Sequence, residues 1–85
     1  MATNTVTKEQ VQEIMDNSEF EEIHKVFGKQ CIVVAKLSNG FTVVGESACV
    51  DPSNYDETIG ANIAKARIEN KIWELEGYKL QNALS

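Results

Sequence analysis

The sequence has few of the residues that usually reinforce a small domain. Its 85 residues include two cysteines, Cys31 and Cys49, and one histidine, His24. No CxxC pair occurs, so neither a disulfide framework nor a zinc site is indicated, and we expect no metal and no other cofactor. Since a domain of this size is only marginally stable alone, self-association is the remaining way to reinforce it.

The sequence is also poor in positive charge and lacks a long apolar run. Its 13 acids outnumber its 8 lysines and arginines, and the formal net charge is -5. A protein that wraps a nucleic-acid polymer needs a basic face, so no such partner is expected, whereas a small nucleotide needs only a few donors. No segment reads as a signal peptide or a membrane span, and the cysteines suit a reducing compartment. We therefore expect no membrane partner and a cytoplasmic location.

Local signals predict a single small α+β domain over residues 1–85. After a loose terminus over residues 1–5, a capping box at Thr7 and Gln10 predicts a short helix over residues 7–16. Residues 19–27 fit either an amphipathic helix or an edge strand, and we favour the strand. Two further strands joined by Asn39-Gly40, the strongest short hairpin signal, complete a small antiparallel sheet over residues 20–48.

The hairpin turn also predicts which side chains share a face of the sheet. A two-residue Asn-Gly loop would place Ser38 opposite Phe41 and Ala35 opposite Val44. Neither face would then be purely polar, so we expect both to be at least partly covered. One face would contain Cys31, Val33, Ala35, Leu37, Thr42, Val44, Glu46 and Ala48, and the other Ile32, Val34, Lys36, Phe41, Val43, Gly45 and Ser47.

One long C-terminal helix is predicted over residues 54–77, from an N-cap at Asn54 to a stop at Gly77. At about 100° per residue it has two opposite apolar stripes. One small sheet can cover one stripe, so we expect the other to lie between copies of the chain, the alternative being burial within a single core. The first stripe is Ile59, Ile63, Ala66 and Trp73, and the second is Ala61, Ala64, Ile68, Ile72 and Leu75.

Five residues are candidates for ligand binding. Arg67, the only arginine, has no acid three or four residues away. Lys71 follows it one helical turn later. A guanidinium binds phosphate through a planar fork of donors. Phe41 directly follows the turn and could stack on a base. Asn54 and Tyr55 begin the long helix, where free N–H groups bind anions. Each also has an ordinary structural explanation: a solvated helix edge, an interface contact or a helix cap.

No catalytic group is indicated. Ser47 and Ser53 lack the context of a catalytic triad, and the cysteines have no acid–base partner. His24 lies in an acidic segment and is expected at the surface. Neither a glycine-rich phosphate loop nor a pair of catalytic carboxylates is present. The residues alone therefore predict an oligomeric module that is not an enzyme.

The C-terminal half of the sequence resembles a family of small tailed-phage and prophage proteins, the gene-49 / gene-66 family. The matching segments are Asn39-Gly40-Phe41, Gly45-Glu46-Ser47, Asn54-Tyr55-Asp56, Ile59-Gly60 and the ending over residues 70–78. The order of sheet and helix is also similar to that of the Thoeris anti-defense protein one group. Those phage proteins are sponges that bind the cyclic ADP-ribose signal of bacterial TIR enzymes without cleaving it.

The resemblance implies a function and roles for particular residues. It implies a phage protein of the host bacterial cytoplasm that sequesters glyco-cyclic ADP-ribose, or the cyclic di- and trinucleotides of CBASS, as a dimer or hexamer. Arg67 and Phe41 would contact the ligand, with Asn54 as a polar contact. A second basic contact would fall to one of the N-terminal lysines, namely Lys8, Lys25 or Lys29. The alternatives are a phage inhibitor of a host protein and a hydrolase of such signals.

Overall fold

The computed structural model describes residues 5–85, so residues 1–4 of the predicted loose terminus lie outside the described residues. Helix α1 (Lys8–Asp16) precedes strands β1 (Glu19–Val26), β2 (Gln30–Lys36) and β3 (Thr42–Ala48), a short 3₁₀ turn (Pro52–Asn54) and helix α2 (Glu57–Leu84). The strands form one antiparallel sheet in the order β1-β2-β3. The predicted α+β class is confirmed, and the ambiguous segment is a strand.

The capping box begins α1 as the sequence predicts. The Thr7 hydroxyl accepts from the Gln10 backbone N–H at 3.2 Å, and the Gln10 side chain accepts from the Thr7 N–H at 2.8 Å. These bonds satisfy two of the N–H groups that a helix start leaves free. The resulting helix places Val11, which is fully buried, in the core beside α2.

The register of the β2–β3 hairpin differs by one residue from the prediction. Ala35 lies opposite Val43, not Val44. The Leu37 N–H donates to the Phe41 carbonyl at 2.8 Å, and the Gly40 N–H donates to the Leu37 carbonyl at 2.9 Å. The loop therefore has three residues, with Gly40 at a φ of +91° that other residues rarely adopt.

A shift of one residue exchanges the two faces of a strand. On β3, Val43, Gly45 and Ser47 point into the core, whereas Thr42, Val44 and Glu46 point to the open face. The predicted grouping of Val44 with the buried side chains of β2 is therefore wrong. Those β2 side chains are Cys31, Val33 and Ala35.

Helix α2 covers the inner face of the sheet with the stripe that begins at Ala61. Ala61, Ala64, Ile68 and Ile72 are buried, whereas Leu75 of that stripe stays partly exposed. The Ser47 hydroxyl donates to the Gly60 carbonyl at 2.7 Å and joins the helix start to β3. The core consists of this stripe, the inner face of β2 and β3, and Val11.

Both predicted ends of the long helix are wrong. Asp56, not Asn54, is the N-cap, and its carboxylate accepts from the Ile59 N–H at 3.0 Å. Asn54 instead belongs to the 3₁₀ turn. The helix continues through Gly77 to Leu84, because the residues that follow the glycine are mostly good helix formers and outweigh its cost of about 1 kcal/mol.

The other apolar stripe of α2 has no cover among residues 5–85. Ile59, Ile63 and Trp73 are 58%, 43% and 37% exposed. The described residues also leave the outer face of the sheet uncovered, with Ile23 and Val44 exposed on it. An interface between copies through the helix stripe stays a prediction. Within residues 5–85, no helix is both long and apolar enough to cross a membrane.

Replacing Gly45 with alanine is expected to destabilise the protein. A Cβ at Gly45 would lie 2.1 Å from the Ala64 carbonyl oxygen, so the helix backbone would have to move. Overpacking of this kind costs about 1–3 kcal/mol or more. Gly77→Ala is the matched control, since its Cβ would meet no atom within 4 Å and alanine favours the helix. Urea unfolding of both variants tests this expectation, and an unchanged midpoint for Gly45→Ala would contradict it.

Candidate functional site

The candidate site lies along the outer edge of β3. β3 is the last strand of the sheet, so this edge has no neighbouring strand in the described part of the chain. Along an antiparallel strand, the backbone N–H and C=O groups of alternate residues point toward the neighbouring strand and away from it. Because Phe41 and Cys49 both bond to the β2 side of the hairpin, the N–H and C=O groups of Val44 and Glu46 point outward from the sheet.

Two cations of α2 cover the outward carbonyls. Arg67 Nη1 donates to the Glu46 carbonyl at 2.7 Å, and Lys71 Nζ donates to the Val44 carbonyl. Among residues 5–85 neither cation has an acid within ion-pair distance. The edge therefore presents backbone N–H groups and two positive side chains.

Phe41 lies at one end of this edge, beside Lys71. It is 53% exposed and lines an open depression of about 340 Å³ together with Lys71, Glu74 and Leu75. Its backbone N–H donates to the Asn39 side chain at 3.0 Å, which fixes the start of the strand. The structure thus brings the candidate aromatic and one candidate cation into the same depression.

Asn54 and Tyr55 lie at the opposite end of the edge. They border a depression of about 80 Å³, which also contacts Cys49 and Ile63 and is too small for a nucleotide. The helix start beside them has Asp56 as N-cap and Glu57 in its first turn. These acids already occupy the positive end of the helix dipole, so the expected anion site at the helix N-terminus is not supported.

The candidates fall into two groups in one chain. From Phe41 to Ala48 the strand rises about 3.3 Å per residue, so the two ends of the edge lie roughly 20 Å apart. Arg67 contacts Glu46 between these ends. Phe41 and Lys71 therefore share one depression, Arg67 lies about 16 Å along the edge from Phe41, and Asn54 lies beyond it.

His24, expected at the surface, is half-buried and joins two elements. Its Nδ1 lies 2.9 Å from the Tyr55 hydroxyl, and its Nε2 lies 2.8 Å from Glu22 Oε1. Lys65 Nζ lies 3.0 Å from the other oxygen of Glu22. The two-residue alternation of β1, which places Glu22 and His24 on its helix side, was the only sequence signal for this cluster, and it did not identify Tyr55 as the partner.

The remaining chemical candidates have structural roles. Cys31 is buried and Cys49 is half-buried, and both are free thiols. Cys49 Sγ lies 3.2 Å from the Asp51 carbonyl and helps to close the loop before α2. In the part of the chain that the structure describes, no group of three histidine, cysteine or acidic side chains is placed to hold a metal ion.

The charge of Glu22 is expected to stabilise the fold at neutral pH. Its bond to Lys65, and then its bond to His24, hold the pKa of Glu22 below its ordinary value of 4.5. When the folded-state pKa is lowered, the resulting stability is fully present above the ordinary, unfolded-state pKa and is lost as the pH falls through the folded-state pKa. Glu22→Gln should therefore unfold more easily at pH 7, by no more than about 1 kcal/mol for so exposed a pair.

Urea unfolding between acid and neutral pH tests this expectation. The difference between wild type and Glu22→Gln should shrink as the pH falls below about 4.5, the ordinary pKa of glutamate. Glu21→Gln is the matched control, since Glu21 lies on the opposite face of β1. Equal pH profiles for the two variants would show that the Lys65 and His24 contacts contribute nothing.

Comparison with known proteins extends the similarity beyond the C-terminal half. A family model described as Phage protein (N4 Gp49/phage Sf6 gene 66) family matches residues 6–84. No curated protein and no solved structure matches the chain. Because the match runs from the residue before the α1 cap to the end of α2, the chain belongs to this family of phage proteins.

Proposed function

We propose that this phage protein binds a nucleotide immune signal and sequesters it without cleaving it. The observation that supports the proposal is the grouping of Phe41, Lys71 and Arg67 along one edge of β3. An aromatic face binds a base, and cations beside outward N–H groups bind phosphate. Sequestration requires affinity alone and no catalytic group.

The contacts of the two cations leave capacity for a ligand. A guanidinium has five N–H donors and an ammonium has three. Arg67 and Lys71 each use one donor on a carbonyl of β3. A phosphate can therefore bind to the remaining donors while both side chains stay fixed on the strand, which lowers the entropy cost of binding.

The site is open in a single chain. Ligand pockets usually bury about 70–90% of a small molecule, and the depression beside Phe41 is exposed to solvent. A second copy packed through the exposed stripe of α2 would supply the missing wall. In a two-fold dimer whose β3 edges run in opposite directions, Asn54 of one copy would lie close to Phe41 of the other.

Calorimetric titration tests the proposed function. The purified protein is titrated with glyco-cyclic ADP-ribose and with a panel of cyclic di- and trinucleotides, and bound ligand is recovered after heat denaturation. A sponge binds one of them with submicromolar affinity and releases it intact. A hydrolase instead releases product with turnover, and a protein inhibitor binds none of the panel. Either of these results would overturn the proposal.

Arg67→Ala and Phe41→Ala should weaken binding of whichever nucleotide the titration identifies. Charge-assisted hydrogen bonds contribute about 1.5–3 kcal/mol and base stacking about 1–3 kcal/mol, so affinity should fall roughly 10- to 150-fold for Arg67→Ala and roughly 5- to 150-fold for Phe41→Ala. Arg67→Lys retains the positive charge without the planar fork of donors, so it should lose less affinity than Arg67→Ala. Lys79→Ala, an exposed position near the end of the same helix, is the matched control and should bind like wild type.

Size-exclusion chromatography with light scattering separates a ligand role from a structural one. Arg67→Ala should keep the oligomeric state of the wild type, because Arg67 contacts β3 of its own chain. Dissociation of the oligomer, or unfolding, together with lost binding would show that Arg67 has a structural role. The site assigned here would then be wrong.

A further inference from the structure

The cluster of Glu22, His24 and Tyr55 joins β1 to the segment before α2. Both ring nitrogens of His24 have partners, with Glu22 on one side at 2.8 Å and the Tyr55 hydroxyl on the other at 2.9 Å. The His24 and Tyr55 rings meet edge to face with centroids 6.4 Å apart. The chain positions are 31 residues apart, so this contact is a tertiary restraint.

The chemistry of the three groups determines where the hydrogens lie. The pKa of Glu22 is lowered by Lys65 and His24, so its carboxylate is ionised at neutral pH and only accepts hydrogen bonds. His24 must then donate from Nε2. A neutral imidazole has one N–H, so Nδ1 is an acceptor and the Tyr55 hydroxyl donates to it.

Protonation of His24 reverses this last bond. A charged imidazole has a hydrogen on both nitrogens, so Nδ1 donates and the Tyr55 oxygen accepts. Desolvation raises the pKa of Tyr55, so the phenol remains protonated in both states.

Tyr55 also anchors the segment that contains Asn54. Its ring packs against the core cluster, and a Cβ at Gly60 would lie 3.6 Å from its edge. The Asn54 N–H donates to the Asp51 carbonyl at 2.9 Å, and the Tyr55 N–H donates to the Pro52 carbonyl at 3.1 Å. The 3₁₀ turn is thus closed locally and attached to the sheet through the Tyr55 side chain.

We infer that Glu22 and His24 are positioning residues for the Asn54–Tyr55 segment, and that the charge of His24 sets the direction of the hydrogen bond made by the Tyr55 hydroxyl. The other groups near this cluster are Lys65 and Glu57 of α2, Lys25 of β1 and the Cys31 thiol of β2. Lys65 holds the second oxygen of Glu22, which leaves the first for His24. The three residues act as a chain in which each fixes the next.

The consequence for ligand binding rests on the proposed function. If Asn54 contacts the nucleotide of a neighbouring copy, its position depends on a histidine outside the pocket. The positioning itself can be tested in the free protein, so its failure is distinguishable from failure of nucleotide binding.

Nuclear magnetic resonance of the free 85-residue protein tests the direction of the hydrogen bond. Nitrogen shifts should show the neutral ring of His24 with its hydrogen on Nε2. As the ring gains its second proton, the Cζ resonance of Tyr55 should move, whereas that of Tyr78 should not. A hydrogen on Nδ1 of the neutral ring would overturn the inference. So would a Tyr55 Cζ resonance that does not shift when His24 becomes charged.

Amide hydrogen exchange tests the positioning. Tyr55→Phe keeps the ring and removes the hydroxyl, so the Asn54 and Tyr55 amides should exchange about fivefold faster, the factor expected for one lost hydrogen bond. Tyr78→Phe makes the same chemical change at an exposed site on α2 and should leave both rates unchanged. Wild-type exchange rates in Tyr55→Phe would show that the cluster does not hold the segment.

Discussion

The close approach of α2 to β3 at Gly45 is the constraint on which the rest of the structure depends. No side chain fits there, because a Cβ would lie 2.1 Å from the Ala64 carbonyl oxygen. The glycine lets the helix lie directly on the strand, so Ile68 is fully buried. At this distance Arg67 and Lys71, on the flank of the same helix, reach the outward carbonyls of β3. Core packing and the candidate site therefore share one cause.

The same contact explains which parts of the fold could be predicted from the sequence. The capping box at Thr7, the presence of the hairpin and the buried stripe of α2 are local patterns, and all three were predictable. The register of the hairpin was not, because Asn39-Gly40 fits both a two- and a three-residue loop. The position of Gly45 under α2 decides between them, and this contact joins residues distant in the sequence. The start of α2 was misplaced because Asn54 and Asp56 are both good caps.

The binding roles of the candidate residues stay a prediction, and the arrangement of these residues could not be read from the sequence. Arg67 and Phe41 could be chosen because an unpaired arginine and an exposed aromatic are the groups that bind phosphate and base. Their grouping with Lys71 on one edge follows from the packing of α2, which local patterns do not specify. His24 was missed for the same reason, since its partner Tyr55 lies beyond two strands and a turn. The two-residue alternation of a strand shows which side chains share a face. It does not show which element packs on that face.

The distribution of charge limits where an anion can bind on so acidic a chain. The net charge of -5 opposes any anionic ligand at long range. The start of α2, which would otherwise attract phosphate, is occupied by Asp56 and Glu57. Arg67 and Lys71 instead donate to neutral backbone carbonyls. Since neither forms an ion pair among the described residues, their positive charges are not cancelled. The outer edge of β3 is therefore a place in the described chain where local attraction offsets part of the repulsion of the whole, and Phe41 lies at the end of that edge.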